Sequence, residues 1–323
     1  MSKPEFALVS KGHAILDPLA MGDVSVEGFT ITVDRDTEGA VGRTMRDADV
    51  MIGESSISRQ VARVAAGDTT WVGIPFFVMR AFRHRTFLVR RDDTRTSFQD
   101  LVGGRIGTDN WMASGNTWAR AAIREQGLGL DQFEWVCGPV ETGDELRPQG
   151  VMPANASMAP EGRALGEMLL NGDLDALMIP DPPEGFYAPN SPYRRLFVDF
   201  RSVETAFYER TGIWPGLHIP VVRREVFEKH PEILGALFDA MEASRIEWMA
   251  KRLFLCETPW MLEEFESSAA LFGGDVGVNG FEALMDNVNY FCGQSFEQGL
   301  TDRRVTAEEA FSEFLSQTRP AAQ

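Results

Sequence analysis

Cysteine, lysine and histidine are all scarce, and each shortage removes a class of function. The three cysteines, Cys137, Cys256 and Cys292, are odd in number and far apart, so no disulfide framework or cysteine metal cluster is indicated. Only four of the 31 basic residues are lysines (Lys3, Lys11, Lys229, Lys251). The arginine excess suits two-point carboxylate recognition, and biased base composition would explain it equally. The four histidines are scattered, with no HxH, HExxH or CxxC spacing, so no metal is expected. Neither GxGxxG nor a phosphate-cradling GxxxxGKS/T occurs, so no nucleotide cofactor is expected either. No run approaches about 18 uninterrupted apolar residues, and Met1–Lys11 has no apolar signal core. The chain therefore reads as cytoplasmic, with no membrane partner.

What is present is an ordinary globular composition over 323 residues, 44% apolar and 24% charged. Thirty-one basic against 48 acidic side chains leave a net charge of −17, which argues against nucleic acid as a partner. Short extended runs alternate with helical ones over the first two-thirds: Phe29–Val33, Asp49–Ile52, Trp71–Val78, Thr86–Arg90, Arg105–Gly107, Phe133–Val136 and Ala176–Ile179 as strands. Helices are expected at Ser56–Ala66, Ser114–Gln126 and Ala159–Asn171. The last third reads almost wholly helical: Arg223–Met249 restarting at Pro231, Pro259–Phe272, Gly280–Gln298 and Thr306–Gln317. This pattern predicts an α/β protein with mainly parallel sheets and a helical tail. Interdomain crossings are expected at Phe87–Arg95 and at the proline-rich Ile179–Gly185. Residues 95–190 then form a lobe inserted into a first lobe made of 1–94 and 191–323, with the ligand cleft between the lobes. The tail is equally readable as a homo-oligomer interface or as a brace on the first lobe.

Four segments carry candidate chemistry. Asp49–Ser56 leads from a strand into a helix whose Ser55 or Ser56 either caps it or faces an anion. Asp109–Trp118 is a second strand-to-helix turn, with Ser114 and Thr117 near the helix start and Trp111 available to cover an aromatic ring. Arg80-Ala-Phe-Arg-His-Arg85 groups three arginines and His84, a carboxylate clamp or a set of solvated strand-end charges. Residues 80–95 hold six arginines against Asp92 and Asp93, a local +4. Thr211-Gly-Ile-Trp-Pro-Gly-Leu-His218 places His218 at the start of an apolar strand, as a general acid or base or as a structural histidine. His13 and His230 stand apart from other convergent polar groups and read as incidental.

Taken in order, these segments resemble the 4,5-dihydroxyphthalate decarboxylase family, itself similar to type II periplasmic binding proteins. The resemblance rests on Gly53-Glu-Ser-Ser56, Ile74-Pro-Phe-Phe77, Arg80-Ala-Phe-Arg-His84, Asp100–Gly107, Trp118-Ala-Arg120, Leu174–Pro180, Glu204, Phe207–His218, Pro259-Trp260 and Gln298-Gly-Leu300. It spans roughly residues 50–300. Family members tend to carry Tyr-Asp-Arg after the first strand, where this chain has Gly12-His-Ala-Ile-Leu-Asp17. The resemblance implies a two-lobed binding-protein fold and cofactor-independent decarboxylation of a hydroxylated aromatic acid, by protonation of the ring carbon that carries the leaving carboxylate. It assigns His218 as proton donor with His84 as the alternative, and Glu54 as base for the phenol. Arg80 and Arg83 would hold carboxylate, Ser55, Ser114 and Thr117 would orient it from two helix N-termini, Ser56 and Thr211 are further substrate-binding candidates, and Trp111 would stack on the ring. The competing readings are a binding protein of the same fold with no reaction, and another lyase or hydrolase of a related acid.

Overall fold

The computed structural model describes residues 2–147, 149–255 and 257–318; Cys256 lies outside them. In chain order the strands are β1 Glu5–Ser10, β2 Thr30–Arg35, β3 Ile52–Ser56, β4 Trp71–Gly73, β5 Met79–Arg80, β6 Phe87–Arg90, β7 Arg105–Thr108, β8 Glu134–Cys137, β9 Ala156–Met158, β10 Ala176–Met178, β11 Tyr193–Arg195 and β12 Gly216–Arg223. They form two sheets, each with helices packed on it, in two compact units. The first unit comprises the chain up to Arg80, Gly216–Cys292 and the residues from Val305 onward; the second comprises Ala81–Pro215 and Gly293–Arg304.

The first unit's sheet runs β2-β1-β3-β12-β4, with β5 also paired to β12. β1 lies parallel to β2 and β3, whereas β12 is antiparallel to β3, β4 and β5. Both faces of this sheet are buried, Leu8 and Ile52 on one and Ile219 and Val221 on the other, and helices of the unit bury Ile57, Val61, Leu237 and Met241. The helix Ile57–Ala66 follows β3 directly. Ser56 caps it by accepting from the Arg59 amide, and Gly67 ends it with φ +72°, which glycine adopts without steric cost.

The second unit's sheet runs β11-β6-β10-β7-β8-β9. One face packs Phe87, Phe98, Ile106, Trp111, Trp135 and Phe197, and the other Leu88, Val136, Leu165, Met168 and Leu177. Here β6 is antiparallel to β10 and β11, while β10, β7, β8 and β9 run parallel.

Three expectations are corrected. The sheets are mixed, because β12 returns beside β3 against its direction and β6 does the same beside β10. The segment set into the first unit starts at Ala81 and ends at Pro215. Residues 87–90, expected at a crossing, are a strand of the second sheet; the chain leaves and re-enters where Arg80 pairs with Gly216. β1 itself, Glu5–Ser10, has no counterpart among the expected strands.

Candidate functional site

In parallel sheets, polar side chains gather where strands end and the chain turns away. β1 and β3 end side by side, since Leu8 pairs with Ile52 and Val9 with Gly53. The next step of that register sets Ser10 beside Glu54. β12 lies on the other side of β3, with Pro220 opposite Glu54 and His218 opposite Ser56, so His218 is the diagonal neighbour of Glu54 on one sheet face. After β1 the chain turns at Gly12, whose φ of +80° disfavours a side chain, and brings His13 back over β3.

These placements converge on one carboxylate. Glu54 Oε1 meets His218 Nδ1 at 2.5 Å and His13 Nε2 at 3.0 Å. Its other oxygen, Oε2, accepts from Ser10 Oγ at 2.9 Å and from the Lys11 amide at 2.8 Å. The Glu54 side chain is 1% exposed, whereas each imidazole keeps 17% of its side-chain surface open. Solvent and ligand can therefore reach the rings but not the carboxylate. Burial alone would raise the Glu54 pKa, but the hydrogen bonds from His13 and His218 overcome it and hold the group far below the usual carboxylate range. For His218 burial prevails over the favourable bond to Glu54 and lowers the pKa, helped by the nearby Lys11 and His13. At neutral pH His218 is thus a neutral imidazole whose Nδ1–H faces Glu54, leaving Nε2 as a proton acceptor. Glu54 is buried behind the two imidazoles, and its lowered pKa makes it a weak proton acceptor. Its position orients two imidazoles and stabilises positive charge that forms on either.

The same side chains are a possible divalent-cation donor set, two histidines and a carboxylate with ligand atoms within 4.8 Å of one another. Two ligands of one tetrahedral zinc stand roughly 3.3 Å apart, given bonds of about 2.0 Å. The 2.5 and 3.0 Å contacts fit direct hydrogen bonds better.

The other expected residues divide clearly. Ser56 shares a face with Glu54 but its hydroxyl is the helix cap, while Ser55 points to the opposite face, fully buried, with no hydrogen-bond partner for its Oγ among the described residues. Arg80 is engaged within its own unit, donating to the Val278 carbonyl at 2.6 Å and to Asn279 Oδ1 at 3.0 Å. The remaining candidates belong to the second unit. His84 is 1% exposed among Phe98, Phe197 and Phe207, and neither ring nitrogen has a hydrogen-bond partner among the described residues. Burial pushes its pKa down to about 4, so it is a core imidazole that carries no proton charge at neutral pH. Trp111 is also a core residue, 1% exposed, packed edge-on against Trp135 and covered by the Arg120 guanidinium at 3.8 Å from its ring centre. It has no open face for a ligand. Thr117 donates to the Ala113 carbonyl and receives Arg120, and Thr211 donates to Phe207 while accepting from the Ile213 amide. Both hydroxyls are used by their own helices. Ser114 opens the Ser114–Glu125 helix and is 2% exposed.

The basic run 80–95 is largely neutralised by the protein itself. Arg85 forks onto Glu204, Arg95 joins Asp93 and Asp175, Arg90 donates to the Leu169 and Leu174 carbonyls, and Arg91 to that of Ser191. Arg83 is the exception. It is 8% exposed, and although its carbonyl accepts from Thr86, its guanidinium makes no hydrogen bond or ion pair with any described residue.

His13 and Ser10 are the functional candidates that sequence reasoning passed over. The available signal was position: a polar residue, a glycine and a histidine directly after a parallel strand.

No family profile matches the sequence. A 4,5-dihydroxyphthalate decarboxylase of Comamonas testosteroni is 30% identical over 96% of this chain and 97% of its own length. A second protein of that name, from Pseudomonas putida, is 31% identical over 64% of this chain and 83% of its own. Among solved structures, the periplasmic aliphatic sulphonate binding protein SsuA of Escherichia coli superposes with a TM-score of 0.54 at 13% identity, covering 96% of this chain and 92% of that one. The fold is accordingly that of periplasmic binding proteins. At 30% identity along nearly all of both sequences, the chain belongs to the 4,5-dihydroxyphthalate decarboxylase family.

Proposed function

We propose that this chain removes CO2 from a hydroxylated aromatic acid, without a cofactor, and that His218 carries the proton. The observation that supports this most is the single buried carboxylate of Glu54 bonded to two imidazoles that each keep some exposed surface, in a member of a decarboxylase family. A hydroxyl ortho or para to the carboxylate lets the ring accept a proton at the carbon that bears it. His218 Nε2 takes the proton of that hydroxyl, and the imidazolium is stabilised by Glu54 through Nδ1–H. It then delivers the proton to the ring carbon. The carbon–carbon bond breaks, its electron pair returns to the ring as a phenolate, and CO2 leaves. One proton from solvent, relayed by His13, neutralises the phenolate, so the sum is ArCO2⁻ + H⁺ → ArH + CO2. Positioned acid–base catalysis of this kind typically gives about 10²–10⁴-fold, and orientation supplies the rest.

The binding-protein fold supports a second reading, a receptor for small acids that runs no reaction. Incubation with 4,5-dihydroxyphthalate and a panel of hydroxylated benzoates, following CO2 and ring absorbance, separates the two. Stoichiometric CO2 with any of them supports the decarboxylase. Saturable binding with no CO2 from the whole panel supports the receptor. A cytoplasmic location belongs to this reading, and fractionation of the native host tests it.

A further inference from the structure

We propose that Lys11 binds a carboxylate of the aromatic acid at the two-imidazole centre, and that the carboxylate it holds is the one the product keeps. Its main chain already belongs to that centre. The Lys11 amide donates to Glu54 Oε2 at 2.8 Å, Ser10 before it bonds the same oxygen, and Gly12 after it turns the chain so that His13 reaches Oε1. The Lys11 side chain is partly buried, and its ammonium makes no hydrogen bond or ion pair with any described residue. It is also one of the positive charges that lower the His218 pKa, so it stands near the imidazole that carries the proton.

An acid approaching the ionised Glu54, on a chain of net charge −17, needs a local cation. The arginines around β1 and β2 are committed elsewhere: Arg35, which lies against Gly12, bonds Asp17 at 2.6 Å, and Arg43 bonds Asp34 at 2.8 Å. Arg80 is held by Val278 and Asn279. Lys11 keeps its three donors, on a stem flexible enough to follow a ligand. The choice of carboxylate rests on the decarboxylase reading; the contact itself does not. A cation on the leaving carboxylate would stabilise the ground state and lose its partner as that charge moves into the ring. A cation on a second carboxylate is equally favourable before and during the reaction, so it positions the ring without slowing the step. The substrate class is then an aromatic acid with a second carboxylate.

Phthalate has no ring hydroxyl, so it reports binding whether or not the chain turns anything over. Calorimetric titration of phthalate into the full chain should give saturable binding. Lys11→Gln should weaken it about 10- to 100-fold, the usual effect of losing a charge-assisted hydrogen bond, and Lys11→Arg, which keeps the charge, should weaken it clearly less. Both variants retain the main-chain bond to Glu54, so their melting temperatures should stay within about 2 °C of wild type. Lysine acylation with peptide mapping gives a second readout: bound phthalate should protect Lys11 and leave Lys3, Lys229 and Lys251 as reactive as before. Absence of saturable phthalate binding by the wild type, unchanged affinity in folded Lys11→Gln, or equal losses in the Gln and Arg variants overturns the proposal. Equal kcat/KM for 4,5-dihydroxyphthalate and for a hydroxylated benzoate with one carboxylate overturns the choice of carboxylate. Absence of CO2 from either compound, with Lys11-dependent phthalate binding intact, overturns the decarboxylase reading and supports the contact.

Discussion

Glu54→Gln tests most sharply how the two-imidazole centre works. The substitution keeps size and removes the charge. Glu54 Oε1 lies 2.5 Å from His218 Nδ1, so the charges of carboxylate and imidazolium sit about 4 Å apart, worth about 4 kcal/mol at an effective dielectric of about 20. That attraction exists only while His218 is protonated, hence in the transition state and not in the resting neutral enzyme. Its loss should lower kcat about 10³-fold. KM should stay within about threefold, because a carboxylate only 1% exposed cannot touch substrate. The amide NH2 must face either the Ser10 and Lys11 donors or the imidazoles, costing about 1–3 kcal/mol of stability. Urea unfolding measures that cost separately, and kinetics should be run where the variant remains folded. CO2 release at saturating substrate is the assay. A folded Glu54→Gln protein with kcat within fivefold of wild type refutes the reasoning.

His84→Phe should leave kcat unchanged and flatten the acid limb of stability. With a folded pKa of about 4 against an ordinary 6.5, His84 binds its proton more weakly folded than unfolded. Its contribution is full above pH 6.5 and is lost as pH falls towards 4, about 3 kcal/mol in all. Unfolding free energies measured across that range should show the difference, and an identical slope in the variant would count against it. His13→Asn should lower kcat about 10- to 100-fold, less than His218→Ala, since Glu54 retains its other imidazole; stopped-flow absorbance reads this directly. Burial raises Cys137 to about 11 and Cys292 to about 12. Alkylation followed by peptide mass mapping should find both unmodified at pH 8 until the protein is unfolded.

Local rules made part of this molecule legible from its sequence. A serine before an amphipathic run and a glycine after it marked the Ile57–Ala66 helix, and the same alternation marked β6, β7 and β10. Glu54 and His218 stood out as chemistry-bearing residues. Their partnership did not, because antiparallel pairing of β12 with β3 joins residues 164 apart, and His13 reaches Glu54 across 41. Spacing motifs register neighbours on one element and miss ligands brought together by a sheet. Burial was the other hidden variable. Trp111 and His84 look identical in sequence to exposed site residues, yet both are packed inside the second unit's aromatic core. The arginine run looked like one clamp, but the side chains of five of its six members bond to the protein's own acids and carbonyls, and among the described residues the Arg83 guanidinium alone has no such partner.

The most direct measurement is CO2 release from 4,5-dihydroxyphthalate by the wild-type chain and by His218→Ala, with binding of the same compound determined for both. The account predicts turnover by the wild type, a loss of at least 10²-fold in the variant, and dissociation constants within about threefold of each other. Equal turnover by a folded His218→Ala protein would contradict it.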